Sequence, residues 1–275
     1  MVRNINKVKL RIMSKENQKD KGETKTVIVL GMHRSGTSMV SGILDILGVK
    51  MGDEMIGSDW TNPLGHFEDV KIVELNKEIL KQAGGRWDSP PSHREIISLK
   101  EKFEDKICKL INERNNTSSL WGVKDPRMCL TIDLYLPFLK NPYFVVCHRN
   151  LESIAYSLNE RNEMDLERSL KISRIYYSEI KRFFQENKNL KKIDLFYEDI
   201  IKNPKQGIEK IVEFLDIKTN EEQIKKATNF VLSPDRKKRL KRIKKFQFLI
   251  YKGLLKFLVL NGFLNKRKRS RYEEQ

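Results

Sequence analysis

Residues 26–48, TVIVLGMHRSGTSMVSGILDILG, constrain the fold more than any other stretch. Residues 26–30 are apolar and largely β-branched, the pattern of a strand buried on both faces. Gly31-Met-His33-Arg34-Ser35-Gly36-Thr37-Ser38 follows, and Met39, Ile43, Leu44 and Leu47 then recur at helical spacing. Strand, glycine-bounded loop and helix together are the layout of a phosphate cradle. Gly31 and Gly36 permit a tight turn without a Cβ penalty. Loop amides at a helix N-terminus point at an anion, with the helix dipole adding favourable charge.

The spacing matches the template G-x-x-x-x-G-K-[ST] at every position but one. Thr37 stands where a nucleotide triphosphatase carries its lysine, and the cation lies inside the loop as Arg34, beside the hydroxyls of Ser35, Thr37 and Ser38. A guanidinium is a rigid fork suited to two anionic oxygens at once. A glycine turn that merely joins strand to helix would not explain this grouping. The loop resembles the 5′-phosphosulfate loop of sulfotransferases that use 3′-phosphoadenosine-5′-phosphosulfate (PAPS), in particular bacterial carbohydrate-type members.

The chain's 275 residues suit one large α/β domain with appendages. The formal charge of +17 is unevenly placed. Residues 236–275 hold 15 Lys or Arg against 2 acids, residues 1–25 hold 8 against 3, and residues 26–235 are close to neutral with 31 against 32. The reading is a basic, mobile arm at 1–25, a catalytic domain at 26–235 and a basic amphipathic tail at 236–275. Cys108, Cys129 and Cys147 have no metal-ligand spacing, which suggests a reducing compartment. The first 25 residues lack the apolar core of a secretory signal. The expected location is therefore cytoplasmic, peripheral on the inner face of the membrane.

Further motifs follow in order. Asn62-Pro-Leu-Gly-His66-Phe-Glu68-Asp69, in a loop rich in Gly, Asp and Pro, resembles the N-x-x-G-x-[FW]-E segment of bacterial sulfotransferases. The resemblance makes Glu68 the candidate general base for the acceptor hydroxyl, with His66 and Asp69 as rivals and a plain helix-start acid as the structural alternative. Residues 84–93, GGRWDSPPSH, form a second loop suited to lining an acceptor cleft. Trp121-Gly-Val-Lys124-Asp125-Pro-Arg127 ends a second strand in charges, where open α/β sheets place ligands, and resembles the W-x-x-K-D-P-R stretch of the same enzymes. Lys124 is a candidate to neutralise the transferring group, as is Arg127. Asp125 is a further base candidate, and Lys124 and Asp125 pairing at the sheet rim is the alternative. Arg149, after a third strand, and Ser157, on the next helix, resemble the pair that clasps the 3′-phosphate of PAPS.

A helix over 96–112, a long one over 166–187 with Tyr176, Tyr177, Phe183 and Phe184 as core, and a fourth strand over 192–199 complete the expected α/β fold. This is a P-loop-type three-layer sandwich with a central parallel sheet. The R-K-G element of cytosolic sulfotransferases is not matched, because Arg236-Lys-Lys lacks the glycine. The tail carries a 19-residue apolar run after RKKRLKRIKK, interrupted by Lys252 and Lys256. Each lysine at a bilayer centre would cost about 2.5–3.5 kcal/mol. An interfacial helix on anionic lipid fits better than a span, and packing on the domain is the alternative. The resemblance implies PAPS as donor and a hydroxyl acceptor of the glycan or glycolipid type; no metal is expected, because a transferring sulfuryl group carries less negative charge than a phosphoryl group and the sequence has no clear acidic metal site. A P-loop kinase is disfavoured by Thr37. A membrane- or nucleic-acid-binding protein with an inactive loop is the non-enzyme rival, although no nucleic-acid recognition motif accompanies the charge.

Overall fold

Side chains alternate along the strands between two apolar layers, and that alternation sets the architecture. The computed structural model describes residues 24–59 and 61–231, and residues 236, 239, 240, 242–248 and 250 of the tail. Its elements are β1 (Lys25–Leu30), α1 (Thr37–Ile46), α2 (Val70–Gln82), α3 (His93–Ile97), α4 (Lys100–Thr117), β2 (Leu120–Lys124) and α5 (Met128–Tyr135). There follow β3 (Pro142–His148), α6 (Leu151–Asn162), α7 (Leu166–Glu186), β4 (Lys191–Phe196), α8 (Tyr197–Lys202), α9 (Pro204–Leu215) and α10 (Glu221–Phe230).

The sheet is parallel throughout, in the order β2-β1-β3-β4. Ile28, Leu30, Trp121, Val123, Phe144 and Val146 share one apolar cluster with residues of α2, α4, α5 and α7. Val27, Val29, Tyr143, Val145, Cys147 and Leu195 share the other with residues of α1, α9 and α10. The expected three-layer sandwich is therefore present. Both faces of β1 and β3 are covered, which accounts for their uninterrupted apolar sequence.

The register delivers the site. Val29 lies opposite Lys124, Leu30 opposite Val146, and His148 opposite Phe196. The loop at Gly31, the charges at residues 124–127 and Arg149 thus emerge along one carboxyl-terminal edge.

Three local readings are corrected. The helix expected over 96–112 is two helices. Ser92 and Glu95 form a capping box that starts α3, and α4 begins only at Lys100. The fourth strand stops at Phe196, because Tyr197-Glu-Asp opens α8, where Glu198 and Asp199 occupy the first turn and suit the helix dipole. Helix α10 was not foreseen, although its Asn220/Gln223 capping box is legible in the sequence. Of the aromatic cluster, Tyr176 and Phe183 are fully buried, while Tyr177 and Phe184 are half-buried against the core. Residues 1–23 of the N-terminal arm and 251–275 of the tail lie outside the described residues.

Candidate active site

The loop between β1 and α1 accepts glycine alone at its two ends. Gly31 has φ +152°, and a Cβ there would lie 2.7 Å from Ser35 Oγ and 2.9 Å from the Cys147 carbonyl. Gly36 has φ +98°, and its Cβ would meet the Tyr197 ring at 2.7 Å. Gly36 also caps α1 without a side-chain bond, so the first-turn amides of Thr37 and Ser38 have no internal acceptor. The Gly31 amide is engaged differently: it donates to Cys129 Sγ at 3.2 Å, and burial pushes that thiol up to about 12. The Ser38 hydroxyl donates to the His66 carbonyl at 3.3 Å, tying the 62–68 loop to the cradle.

Arg34 occupies the left-handed region at φ +73°, a conformation that costs a side-chain-bearing residue about 1–2 kcal/mol. Arg34 Nε donates to Ser157 Oγ at 2.9 Å, Nη1 to the Thr61 carbonyl at 3.4 Å, and its own carbonyl accepts from Arg149 Nη1 at 2.9 Å. Burial, then the charges of Arg161 and Arg149, bring Arg34 down to about 10. Arg149 stacks on Tyr197 at 4.5 Å, and its Nε is buried without a partner among the described residues. The structure therefore brings Arg149 and Ser157 to one locus, joined through Arg34. Beside them opens a cleft lined by Thr37, Leu64, Arg149, Tyr197 and Phe230. Sequence reasoning placed Tyr197 in the fourth strand and passed over Phe230, and nothing in the linear order marks either as lining a cleft.

Across the loop lies a buried ionic cluster. Lys124 Nζ donates to Glu68 Oε1 at 2.5 Å, with side chains 2 % and 10 % exposed. Burial pushes Glu68 up, but the Lys124 charge and hydrogen bond, then Arg127 and His66, hold it net below its ordinary value. Glu68 is thus an ionised carboxylate next to the loop. The rim pair weighed from sequence is replaced: Lys124 turns to Glu68, and Asp125 accepts instead from Arg127 Nη1 at 2.7 Å, the Arg127 amide at 3.0 Å and Asn76 Nδ2 at 2.9 Å. Burial pushes Asp125 up against the pull of Arg127, and all its bonds hold structure. Asp69 is equally engaged, capping α2 through the amides of Lys71 and Ile72 and pairing with buried Arg114. Of the three, Glu68 is the carboxylate that neither caps a helix nor accepts a backbone amide, and its hydrogen-bond partner among the described residues is Lys124.

His33, expected in the cradle, packs its ring 4.6 Å from Trp87, with Nε2 buried and unpartnered among the described residues. Burial lowers its pKa first, then the charges of Arg127, Arg161, Lys124 and Arg34. A neutral imidazole therefore lines the side of the loop that faces residues 84–93. His66 pairs with Asp59 at 3.1 Å. Among the described residues no group of three or more His, Cys, Asp or Glu side chains is arranged to hold a metal.

A parallel α/β sheet with an anion cradle at its carboxyl edge and a buried carboxylate–ammonium pair alongside defines a group-transfer site of the P-loop-like class. A model of the sulfotransferase family matches residues 26–221, and the chain belongs to that family. Solved structures of similar fold include sulfotransferase STF9 from Mycobacterium avium, 14 % identical over 78 % of this chain and 70 % of that one, TM-score 0.46. Another is the sulfotransferase domain of the Synechococcus PCC 7002 olefin synthase, 15 % identical over 78 % and 82 %, TM-score 0.46. Mouse sulfotransferase SULT7A1 complexed with PAP is 11 % identical over 77 % and 65 %, TM-score 0.40. No curated protein sequence matches significantly.

Proposed function

We propose that the chain transfers a sulfuryl group from PAPS to a hydroxyl of a carbohydrate or glycolipid. The observation that carries this reading is the junction of Arg34, Ser157 and Arg149 beside the cradle, next to the Glu68–Lys124 pair. The residues present fit the donor. Among the described residues the first-turn amides have no side-chain cap and Arg149 Nε is buried without a partner, and the glycines leave space where a Cβ would intrude. PAPS supplies an activated sulfuryl group and, after transfer, a stable bisphosphate.

The chain's own residues do the rest. The amides of residues 36–38 and Arg34 hold the 5′ end, Arg149 and Ser157 the 3′-phosphate, and the Tyr197/Phe230 cleft suits a flat base. Glu68 accepts the acceptor hydroxyl proton as the oxygen attacks. Lys124, released from Glu68 by that proton, is left as a cation beside the charge that develops on departure. Most of the rate then comes from positioning and fixed charge, as in phosphoryl transfer.

A cytoplasmic, membrane-peripheral setting is part of the proposal. Exposed Ile243, Phe246 and Ile250 fall on one helical face of the tail among lysines, and Lys244 donates to Ser58 Oγ at 2.6 Å, beside the 59–68 loop. Among the described residues no helix is long and apolar enough to cross a membrane.

The test is thermal unfolding with 3′,5′-adenosine bisphosphate (PAP) or ATP–magnesium, on wild type and Arg149→Ala. At about 100 times its dissociation constant a ligand stabilises by about 2.7 kcal/mol. Stabilisation by PAP that Arg149→Ala abolishes is expected. Stabilisation by ATP alone would overturn the reading in favour of a kinase.

A further inference from the structure

Most cations around the reacting centre have a carboxylate partner or a place at the donor end. Lys124 is paired with Glu68 and Arg127 with Asp125, while Asp59 is paired with His66. Arg34 and Arg149 belong to the donor end. Arg161, near the end of α6, is left over: its guanidinium lies 5.9 Å from the Trp87 ring, its Nε donates to Asn162 Oδ1 at 2.6 Å, and no carboxylate of the described residues is in contact with it. Glu68 and Asp59 attract it from a distance, Arg127 repels it, and burial disfavours its charge.

The same wall holds His33, tilted against Trp87. His33, Trp87 and Arg161 thus set an imidazole, a half-buried indole and a half-buried guanidinium side by side, a combination suited to stacking a ring and binding an anion. Glu68 acts on Arg161 and Lys124 on His33 through their charges, and none of His33, Trp87 and Arg161 lines the Tyr197/Phe230 cleft. We infer that the acceptor is an acidic sugar, whose anionic group sits on Arg161 while its ring lies along Trp87 and its hydroxyl reaches Glu68. This rests on the sulfotransferase reading and names its acceptor class. A neutral acceptor would leave the half-buried Arg161 without an anionic partner among the described residues, whereas an anionic group supplies one. Carboxylate and phosphate share the required chemistry.

The experiment uses full-length protein saturated with PAP and matched probes: methyl β-glucuronide, methyl β-glucoside and glucose 6-phosphate. Binding is read by calorimetry on wild type, Arg161→Ala and Arg161→Lys, with PAP stabilisation measured on each. The acidic probes are expected to bind wild type about 10- to 100-fold tighter than the glucoside, the range of one charge-assisted hydrogen-bonded contact. Which acid binds tighter separates carboxylate from phosphate. Arg161→Ala should erase the preference and Arg161→Lys retain part of it, with PAP stabilisation unchanged in both. Equal binding of acidic and neutral probes, or binding of none, overturns the inference while PAP stabilisation upholds the sulfotransferase reading. Loss of PAP stabilisation in Arg161→Ala also overturns it, by assigning Arg161 to the donor. If PAP fails to stabilise wild type, the parent reading fails and the acceptor assignment falls with it.

Discussion

Breaking the Glu68–Lys124 pair tests both the fold's energetics and the chemistry. The two side chains are 10 % and 2 % exposed and 2.5 Å apart, so solvent screens neither. Removing one partner strands the other charge, at a cost of about 3–5 kcal/mol. At about 2–4 °C per kcal/mol for a chain of this size, Lys124→Met should lower the unfolding midpoint by about 6–20 °C. Glu68→Gln should do the same, while the double variant Glu68→Gln/Lys124→Met should be at least about 2 kcal/mol more stable than the sum of the singles. The pH dependence carries the sign. In the wild type Glu68 lies below its ordinary value. Its contribution is therefore complete above the unfolded carboxylate pKa of about 4.3 and is lost as pH falls through the folded value. In Lys124→Met, burial becomes the dominant influence and lifts Glu68. Stability should then be greatest below about pH 4.3 and fall as pH rises. Urea unfolding of the four proteins between about pH 2.5 and 7 reads this directly, and activity of Glu68→Gln should drop about 10²- to 10⁴-fold. Additive stabilities, or a Lys124→Met slope of the same sign as wild type, would refute the reasoning.

Two other expectations are simpler. Gly36→Ala must hold φ +98° with its Cβ 2.7 Å from the Tyr197 ring. It should lose at least about 1–2 kcal/mol of stability and its stabilisation by PAP, whereas Gly57→Ala, with open space around it, should match wild type in thermal unfolding. Deleting residues 236–275 should abolish sedimentation with vesicles containing anionic lipid but leave PAP stabilisation intact. Equal sedimentation with and without the tail would remove the membrane role.

What the sequence disclosed was what backbone geometry dictates locally. The glycines at 31 and 36, the β-branched run before them and the helical spacing after them each force a conformation on their own, so the cradle and the sheet around it could be read directly. Arg149 and Ser157 were legible as a pair but not in their linkage. Nothing in a linear string tells that Arg34 takes a left-handed backbone and reaches across to Ser157, 123 positions away. The choice among Glu68, Asp69 and Asp125 was likewise closed to spacing, because the adjacent Glu68 and Asp69 and the distant Asp125 differ chiefly in what comes to meet them. Arg114 arrives from α4 to fix Asp69, Asn76 from α2 to fix Asp125, and Lys124 is left to Glu68. Arg161 had no motif at all. Its significance arises by subtraction, once Lys124 and Arg127 have been matched to carboxylates and Arg34 and Arg149 placed at the donor end, and a subtraction of that kind needs the fold.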